Sequence, residues 1–249
     1  MATNATDAAR DLRTAIEQRL DSLRKRPADP RVAFLRHLLE TVDFDGFRRM
    51  QQRHLESPET GREAKFLDLV YWTDAKFKLV TAFGLHACPP KRIVDIGAGN
   101  GLFALICRFY GHDVVCTDTG AKTLYDDMID FFGLQRIIHR VEPFVPLDFG
   151  QGRFDLATAM MTTFNRFPTP WGAAEWSYFL TDLAENQLSE RGEIIVKMGL
   201  RYFDADLAGH LRHLGAEVRE KQGYIHVGEA ATAGLRREAA ADVHLAARA

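Results

Sequence analysis

The sequence has little that would support a disulfide-bonded or membrane-embedded protein. Its three cysteines, Cys88, Cys107 and Cys116, include no Cys-x-x-Cys pair, which argues against a disulfide framework and a structural zinc site. We expect Cys107 and Cys116, which lie in apolar runs, to be buried thiols. No segment approaches the roughly 20 apolar residues of a membrane span. We therefore expect a cytoplasmic protein with no membrane contact and no metal.

The sequence also lacks an excess of one charge. Its 32 lysines and arginines are balanced by 34 aspartates and glutamates, for a formal net charge of −2. Proteins that bind nucleic acid usually carry a basic face or a high pI. The composition therefore gives no clear nucleic-acid signature, and it favours a small-molecule partner.

Apolar residues recur at helical spacing through the first third of the chain. The spacing predicts helices over residues 8–23, 32–39, 44–55 and 64–85. We expect Thr6 and Asp7 to cap the first helix, and Asp43 or Asp45 to cap the third. Residues 1–88 are interpreted as a helical cap or lid region, whose helices could also join two copies in a homodimer.

After Pro89 and Pro90, short β-branched runs alternate with helical stretches, as in βαβ units with a parallel sheet. The predicted strands are 92–96, 113–117, 136–141, 154–160 and 193–198, followed by a hairpin of 217–220 and 224–227. The fold class is therefore α/β: a Rossmann-like, doubly wound, mostly parallel sheet with a C-terminal antiparallel hairpin and an N-terminal helical cap. Residues 89–228 form the predicted Rossmann-like domain, and residues 229–249 an Ala- and Arg-rich tail, either a loose helix or a frayed end.

The strongest functional signal is the turn that joins the first strand to the next helix. Its residues are Asp95, Ile96, Gly97, Ala98, Gly99, Asn100 and Gly101. Glycine suits a sharp turn to which a ligand must come close, because a Cβ would obstruct it. The predicted strand before the turn and the predicted helix 102–110 after it make the glycine pattern a more specific sign of ligand binding.

A second signal is Asp118, which ends the next strand about 20 residues further on. An acid at this position in nucleotide-binding sheets accepts hydrogen bonds from ribose hydroxyls. A dinucleotide fingerprint would need glycine at position 102 or 104, where this chain has Leu102 and Ala104. Asp95, two places before the first glycine, suits a positively charged cofactor better than a pyrophosphate.

The turn resembles motif I of class I S-adenosylmethionine-dependent methyltransferases, and the resemblance extends over roughly residues 65–227. It implies S-adenosylmethionine as cofactor, with Asp95 and the Gly97–Gly101 loop beside the methionine portion. Asp118, followed by Thr119, would hold the ribose. Glu142, placed at the end of the third strand, would lie beside the adenine. The remaining residues that the resemblance places at the cofactor are Pro143, Phe144 and Met160.

Acceptor residues are harder to assign than cofactor residues. Asn165 follows the fourth strand, where class I enzymes often meet the acceptor, although a turn-forming asparagine explains it equally well. Tyr71 and Trp72 could cover the methionine side, and Trp171 could line an acceptor pocket, although aromatic residues are more often core. No catalytic residue is assigned.

The sequence thus predicts a methyltransferase that modifies an oxygen or nitrogen of an unidentified, small-molecule acceptor. One alternative is a non-catalytic module that binds S-adenosylmethionine. The other is a nicotinamide-dependent oxidoreductase, which the missing third glycine opposes, as does the absence of any tyrosine with a lysine four residues later.

Overall fold

A computed structural model describes residues 11–150, 152–166 and 169–246 of the chain. These residues divide into two compact units. The helical unit contains the residues up to Pro90, Gly99–His112 and Gly120–Gln135. The sheet unit contains Lys91–Ala98, Asp113–Thr119 and the residues from Arg136 onward.

Six α-helices lie in the described part of the helical unit. They are α1 (Leu12–Leu23), α2 (Pro30–Thr41), α3 (Phe44–Glu56), α4 (Leu69–Ala82), α5 (Leu102–Phe109) and α6 (Thr123–Phe131). Aspartates begin the first four: Asp11, Asp29, Asp43 and Asp68 each accept a hydrogen bond from a backbone N–H of the first turn. Asp43 is thus the cap of α3, whereas the predicted caps Thr6 and Asp7 lie outside the described residues.

The prediction of one continuous helix over residues 64–85 is wrong. A 3₁₀ helix, Gly61–Leu67, comes first, and α4 begins only at Leu69. Asp68 lies between them with ψ at 81°, and its carboxylate accepts the Tyr71 N–H at 3.0 Å. The aspartate therefore starts a new helix at a position where the apolar spacing alone runs on without a break.

Aromatic side chains fill the interior of the helical unit. Phe34, Phe47 and Phe77 are fully buried, and the Phe34 ring meets the Phe77 and Phe109 rings edge to face at 5.4 Å each. Packed aromatic pairs of this kind contribute beyond their buried area. Cys107 on α5 is buried and unbridged, as predicted.

The sheet unit is built on seven strands. They are β1 (Arg92–Ile96), β2 (Asp113–Asp118), β3 (Gln135–Ile138), β4 (Phe154–Met160), β5 (Leu188–Lys197), β6 (Glu217–Arg219) and β7 (Tyr224–Val227). Their spatial order is β3-β2-β1-β4-β5-β7-β6. Strand β1 pairs in parallel with β2 and β4, and β4 pairs in parallel with β5. Strand β7 runs antiparallel to both β5 and β6.

This topology confirms the predicted Rossmann-like fold with a C-terminal antiparallel hairpin. The first five strands follow the order 3-2-1-4-5 of nucleotide-binding sheets. The order reverses between β1 and β4, and in open α/β sheets ligands bind beside the carboxyl ends of the strands at such a reversal. A ligand-binding site is therefore expected at the carboxyl ends of β1, β2 and β4.

Two strands differ from their predicted bounds by more than one residue, while β2 and β6 differ by a single residue at one end. Strand β3 ends at Ile138 rather than residue 141, and its last residue is exposed. Strand β5 begins at Leu188 rather than residue 193. Its pairing with β4 shifts register between Phe154 and Leu156, so the added residues join the strand through an irregularity in the pairing.

The C-terminal helices of the sheet unit are α7 (Ala173–Asp182), α8 (Ala205–His213) and α9 (Glu229–Ala246). The tail is thus a helix as far as Ala246. Arg236 on α9 donates to the backbone carbonyls of Ser189 at 2.7 Å and Glu190 at 2.9 Å, and also to that of Ala184. These bonds attach α9 to the start of β5. No helix among the described residues is long and apolar enough to span a bilayer.

Candidate functional site

Asp95 is fixed at the carboxyl end of β1. Only 2% of the residue is exposed, and its Oδ1 accepts the Thr158 hydroxyl at 2.8 Å. Asp95 and Thr158 are register partners on β1 and β4, the two strands between which the order reverses. The structure thus places the predicted acid at the reversal point and supplies a hydroxyl that holds it there. A contact between Asp95 and a cofactor remains a proposal.

The glycine turn leaves β1 in a left-handed conformation that glycine accommodates. Gly97 has φ of +66°, and a Cβ built on it would lie 2.8 Å from Thr162 Cγ2. That distance is well inside van der Waals contact. Ala98, the next residue, donates its N–H to the Thr117 carbonyl at 2.9 Å. The turn is therefore held both to the end of β2 and against the segment that follows β4.

The rest of the loop belongs to the helical unit. Gly101 begins α5 with φ of +70°, and a Cβ there would lie 2.7 Å from Leu134 Cδ1. The left-handed backbone and the close approach of Leu134 together account for this third glycine without any ligand. Asn100 Oδ1 accepts the Leu102 N–H at 3.3 Å. Asn100 is 3% exposed, and its buried Nδ2 has no hydrogen-bond partner among the described residues.

Asp118 ends β2 as predicted. Its Oδ1 accepts the Thr119 N–H at 2.7 Å, and its backbone carbonyl accepts the His139 N–H at 2.9 Å. Thr117, one residue earlier, is buried, and its hydroxyl has no hydrogen-bond partner among the described residues. A buried hydroxyl without a partner is uncommon in native proteins, and it marks a position where a bound group could supply the missing bond.

The predicted position of Glu142 is corrected by the structure. Because β3 ends at Ile138, Glu142 lies four residues beyond the strand rather than at its end. Its side chain is exposed, with Oε1 4.0 Å from Arg140 Nη1. Phe144 is exposed as well and takes φ of +60°, a conformation that is strained in a bulky residue. Glu142, Pro143 and Phe144 therefore form an open loop.

The segment after β4 carries the predicted residues Met160, Asn165 and Trp171. Met160 ends β4 and is buried, and the next residue, Met161, has φ of +59°. Asn165 is buried in a 3₁₀ turn, where its carbonyl accepts the Trp171 N–H at 3.1 Å. Trp171 is 7% exposed and packs against Phe164 and other core rings. The structure thus buries both acceptor candidates of this segment.

Tyr71 and Trp72 lie on α4 in the helical unit. Tyr71 is 46% exposed, and its ring meets the Trp72 ring edge to face at 5.2 Å. Trp72 donates Nε1–H to the Lys65 carbonyl at 2.7 Å and packs against Phe66 at 4.6 Å. Of the two residues, Tyr71 presents more ring surface.

Lys197 is a titratable group at the carboxyl end of β5. Burial lowers the pKa of Lys197, and its Nζ donates to the Gln222 carbonyl at 2.9 Å. The same nitrogen lies 4.1 Å from the centroid of the Tyr224 ring, and burial raises the pKa of Tyr224. Lys197 lies at the carboxyl edge of the sheet and was not among the predicted site residues.

Sequence reasoning also missed Thr158, Thr117 and a group of arginines that follows β4 and β5. Arg166 and Arg201 both stack on Tyr202, with guanidinium carbons 4.4 Å and 4.7 Å from the ring centroid. Arg201 and Tyr202 lie 35 and 36 positions after Arg166 in the chain, so no local sequence pattern brings the three residues together.

Comparisons with known proteins give low similarities. No protein-family model matches the chain, and a comparison with curated proteins finds no match. Among solved structures, a ribosomal protein L11 methylase from Lactobacillus delbrueckii subsp. bulgaricus is 17% identical, with a TM-score of 0.42, over 59% of this chain and 74% of its own. A TehB-like SAM-dependent methyltransferase from Corynebacterium glutamicum is 16% identical, with a TM-score of 0.41, over 61% and 92%.

A third structure is the SAM-bound amino pentose methyltransferase CalS10 from Micromonospora echinaspora. It is 17% identical to this chain, with a TM-score of 0.37, over 51% of each. Many other matching structures carry the name of SAM-dependent methyltransferases as well. Because these similarities are low, the function of this chain is inferred from its own site residues.

Proposed function

We propose that this protein is an S-adenosylmethionine-dependent methyltransferase, with its cofactor bound beside the carboxyl ends of β1 and β2. One observation carries the proposal. Asp95 with its glycine turn and Asp118 stand at the ends of adjacent parallel strands, next to the point where the strand order reverses. Ligands of open α/β sheets bind at that point, and an acid that ends the second strand can accept bonds from both ribose hydroxyls.

The donor and acceptor chemistry of the residues fits this cofactor. Carboxylates of Asp95 and Asp118 suit a ligand with a sulfonium, an ammonium and two ribose hydroxyls. The hydroxyl of Thr117 is a buried polar group without a partner among the described residues, and a ligand at the end of β2 could complete its hydrogen bonding. The proposal assigns the adenine side to Glu142, Pro143 and Phe144, whose loop is open to solvent.

The chemistry of transfer belongs to the cofactor, whose sulfonium supplies an activated methyl group. The residues of this chain have to bind it, align an acceptor oxygen or nitrogen with the S–CH₃ bond and exclude water. The acceptor we propose is a small molecule, because the chain is close to neutral in charge and lacks a broad basic surface signature. Residues 1–88 are proposed to act as the lid over this site.

The test is calorimetric titration of S-adenosylmethionine into the wild-type protein and two variants. Asp118→Ala removes the proposed ribose acceptor, and each lost bond to a charged group should weaken binding by about 10- to 150-fold. Asp148→Ala is the matched control, since Asp148 also accepts a backbone N–H, from Gly150 at 2.9 Å, on the same unit. Its affinity should stay at the wild-type value.

Parallel titrations with NADH and NADPH complete the experiment. We expect no binding of either, because positions 102 and 104 carry side chains where a dinucleotide fingerprint has glycine. Normal affinity of Asp118→Ala for S-adenosylmethionine would remove the role assigned to Asp118. Binding of a nicotinamide cofactor in place of S-adenosylmethionine would overturn the proposed function.

A further inference from the structure

Two arginines at the carboxyl edge of the sheet stack on one aromatic ring. Arg166 ends the 3₁₀ turn after β4, and Arg201 lies in the 3₁₀ turn Leu200–Tyr202 after β5. Their guanidinium carbons are 4.4 Å and 4.7 Å from the centroid of the Tyr202 ring. Two positive charges are thus gathered over a single side chain.

Adjacent strands bring these turns together. Met160 and Lys197 are register partners on β4 and β5, and Met161 extends the pairing by donating its N–H to the Lys197 carbonyl at 2.8 Å. Gly199 lies beside both side chains, since a Cβ built on it would be in ordinary van der Waals contact with Tyr202 Cδ2 at 3.5 Å and Arg166 Nη2 at 3.7 Å. Both arginines therefore leave the sheet at the edge where the proposed methyl transfer takes place.

The two charges have no counter-charge in the described part of the chain. No carboxylate there forms an ion pair with Arg166 or Arg201, although other arginines of the sheet unit, such as Arg191 and Arg219, are paired with glutamates. Arg166 Nε is buried and has no hydrogen-bond partner among the described residues. A guanidinium offers only donors, so its unused groups can be satisfied only by an acceptor, and an anion satisfies them best.

We propose that Arg166 and Arg201, positioned by Tyr202, bind an oxyanion of the methyl acceptor, a carboxylate or a phosphate ester. The inference rests on the proposed function in so far as it names the acceptor class of that reaction. The fork of a guanidinium matches the two oxygens of either anion. The acceptor would be held by its charged end beside β4 and β5.

The test uses acetate and inorganic phosphate as probes, with neutral acetamide as the uncharged counterpart of acetate, at constant ionic strength. The readout is the Nε–Hε resonance of Arg166 and Arg201 in ¹H–¹⁵N spectra of the full chain. We expect a saturable shift of both resonances with at least one anion and none with acetamide. A response to acetate alone identifies a carboxylate site, and a response to phosphate alone a phosphate site.

Variants connect the response to these side chains. Arg166→Gln and Arg201→Gln should each weaken anion binding by about tenfold or more, since a charge-assisted bond is lost. Tyr202→Leu keeps both charges but removes the ring that positions them, and it should weaken binding too. Arg191→Gln, which removes an exposed arginine paired with Glu229 at 3.1 Å, is the matched control and should change nothing.

The inference is overturned if neither anion gives a saturable shift in the wild-type protein, or if both glutamine variants bind as the wild type does. S-adenosylmethionine titrations of the same samples separate the two proposals. A protein that binds the cofactor but neither anion loses only the acceptor assignment. If the protein binds an anion but not the cofactor, the oxyanion site is supported and the proposed methyltransferase function is refuted.

Discussion

Replacing Gly97 by alanine tests whether the glycine turn is held as the structure shows. An alanine at φ of +66° is strained by roughly 1–2 kcal/mol. Its Cβ would also lie 2.8 Å from Thr162 Cγ2, and overpacking of this kind costs typically 1–3 kcal/mol. We therefore expect Gly97→Ala to lower the free energy of unfolding by about 2–5 kcal/mol.

A double-mutant cycle separates the two costs. Thr162→Ser removes the methyl group that the new Cβ would meet, so Gly97→Ala combined with Thr162→Ser should keep only the backbone strain. Gly150→Ala is the matched control, because Gly150 has φ of +58° but no atom within 4 Å of a built Cβ. Its expected cost is the strain alone, roughly 1–2 kcal/mol.

The assay is equilibrium urea unfolding followed by tryptophan fluorescence, with Trp176 buried in the same unit as Gly97. Favourable coupling of about 1–3 kcal/mol between Gly97→Ala and Thr162→Ser is the expected result. The reasoning fails if Gly97→Ala costs no more than Gly150→Ala, or if the serine variant recovers none of the loss.

Three further predictions concern stability. His226, with Lys91, holds the pKa of Glu193 at about 2, so the carboxylate should contribute about 1–3 kcal/mol above its usual pKa of 4.5, lost as the pH falls from 4.5 towards 2. Urea titrations of wild type and Glu193→Gln should therefore differ at neutral pH and converge in acid. Arg236→Ala should lower the free energy of unfolding by about 2–4 kcal/mol, because three bonds from a charged donor to backbone carbonyls are lost. Asp68→Ala should cost about 1 kcal/mol by removing the cap of α4, measured in the same way.

Each of these predictions has a control and a contrary outcome. For Glu193 the control is Glu220→Gln on the same unit, because the ion pair of Glu220 with Arg212 is about half exposed and should contribute little. Equal acid sensitivity of both variants would contradict the account. Arg237→Ala, one position from Arg236 on the same helix, should be close to neutral. For Asp68 the control is Asp68→Asn, which should retain most of the stability because asparagine also caps helices. An unchanged stability of Asp68→Ala would show that α4 does not depend on its cap.

Much of the sheet could be predicted because its central strands carry a strong local pattern. Strands β1 and β4 have the predicted bounds, since each is a short apolar run between turn residues, as expected for strands buried on both faces. Strand β3 is shorter than predicted: His139 still donates its N–H to the Asp118 carbonyl of β2, but the regular strand ends at Ile138. The early start of β5 depends on an irregular register with β4, which no local pattern encodes.

The candidate site also contains some features that could be predicted from the sequence and others that could not. The glycine turn and Asp118 could be predicted because strand, turn and acid follow one another at a fixed spacing. The bond from Thr158 to Asp95 could not, since it depends on the register of two strands more than 60 residues apart in the chain. The stacking of Arg166 and Arg201 on Tyr202 depends on the adjacency of β4 and β5 and escapes sequence reasoning for the same reason.

Of the acceptor residues that the sequence suggested, Tyr71 is 46% exposed, whereas Trp171 and Asn165 are buried. Both residues are packed inside the sheet unit, whereas the arginines beside them reach solvent in part. Charge recognition by Arg166 and Arg201 therefore offers a more direct route to the acceptor than an aromatic pocket does.

A crystal structure of the protein with S-adenosylhomocysteine tests the central claim most directly. The account predicts ribose hydroxyls within hydrogen-bond distance of the Asp118 carboxylate and the homocysteine portion beside the turn that begins at Gly97. Density for the ligand away from the carboxyl ends of β1 and β2, or crystals in which those residues never contact it at saturating concentration, would contradict the claim.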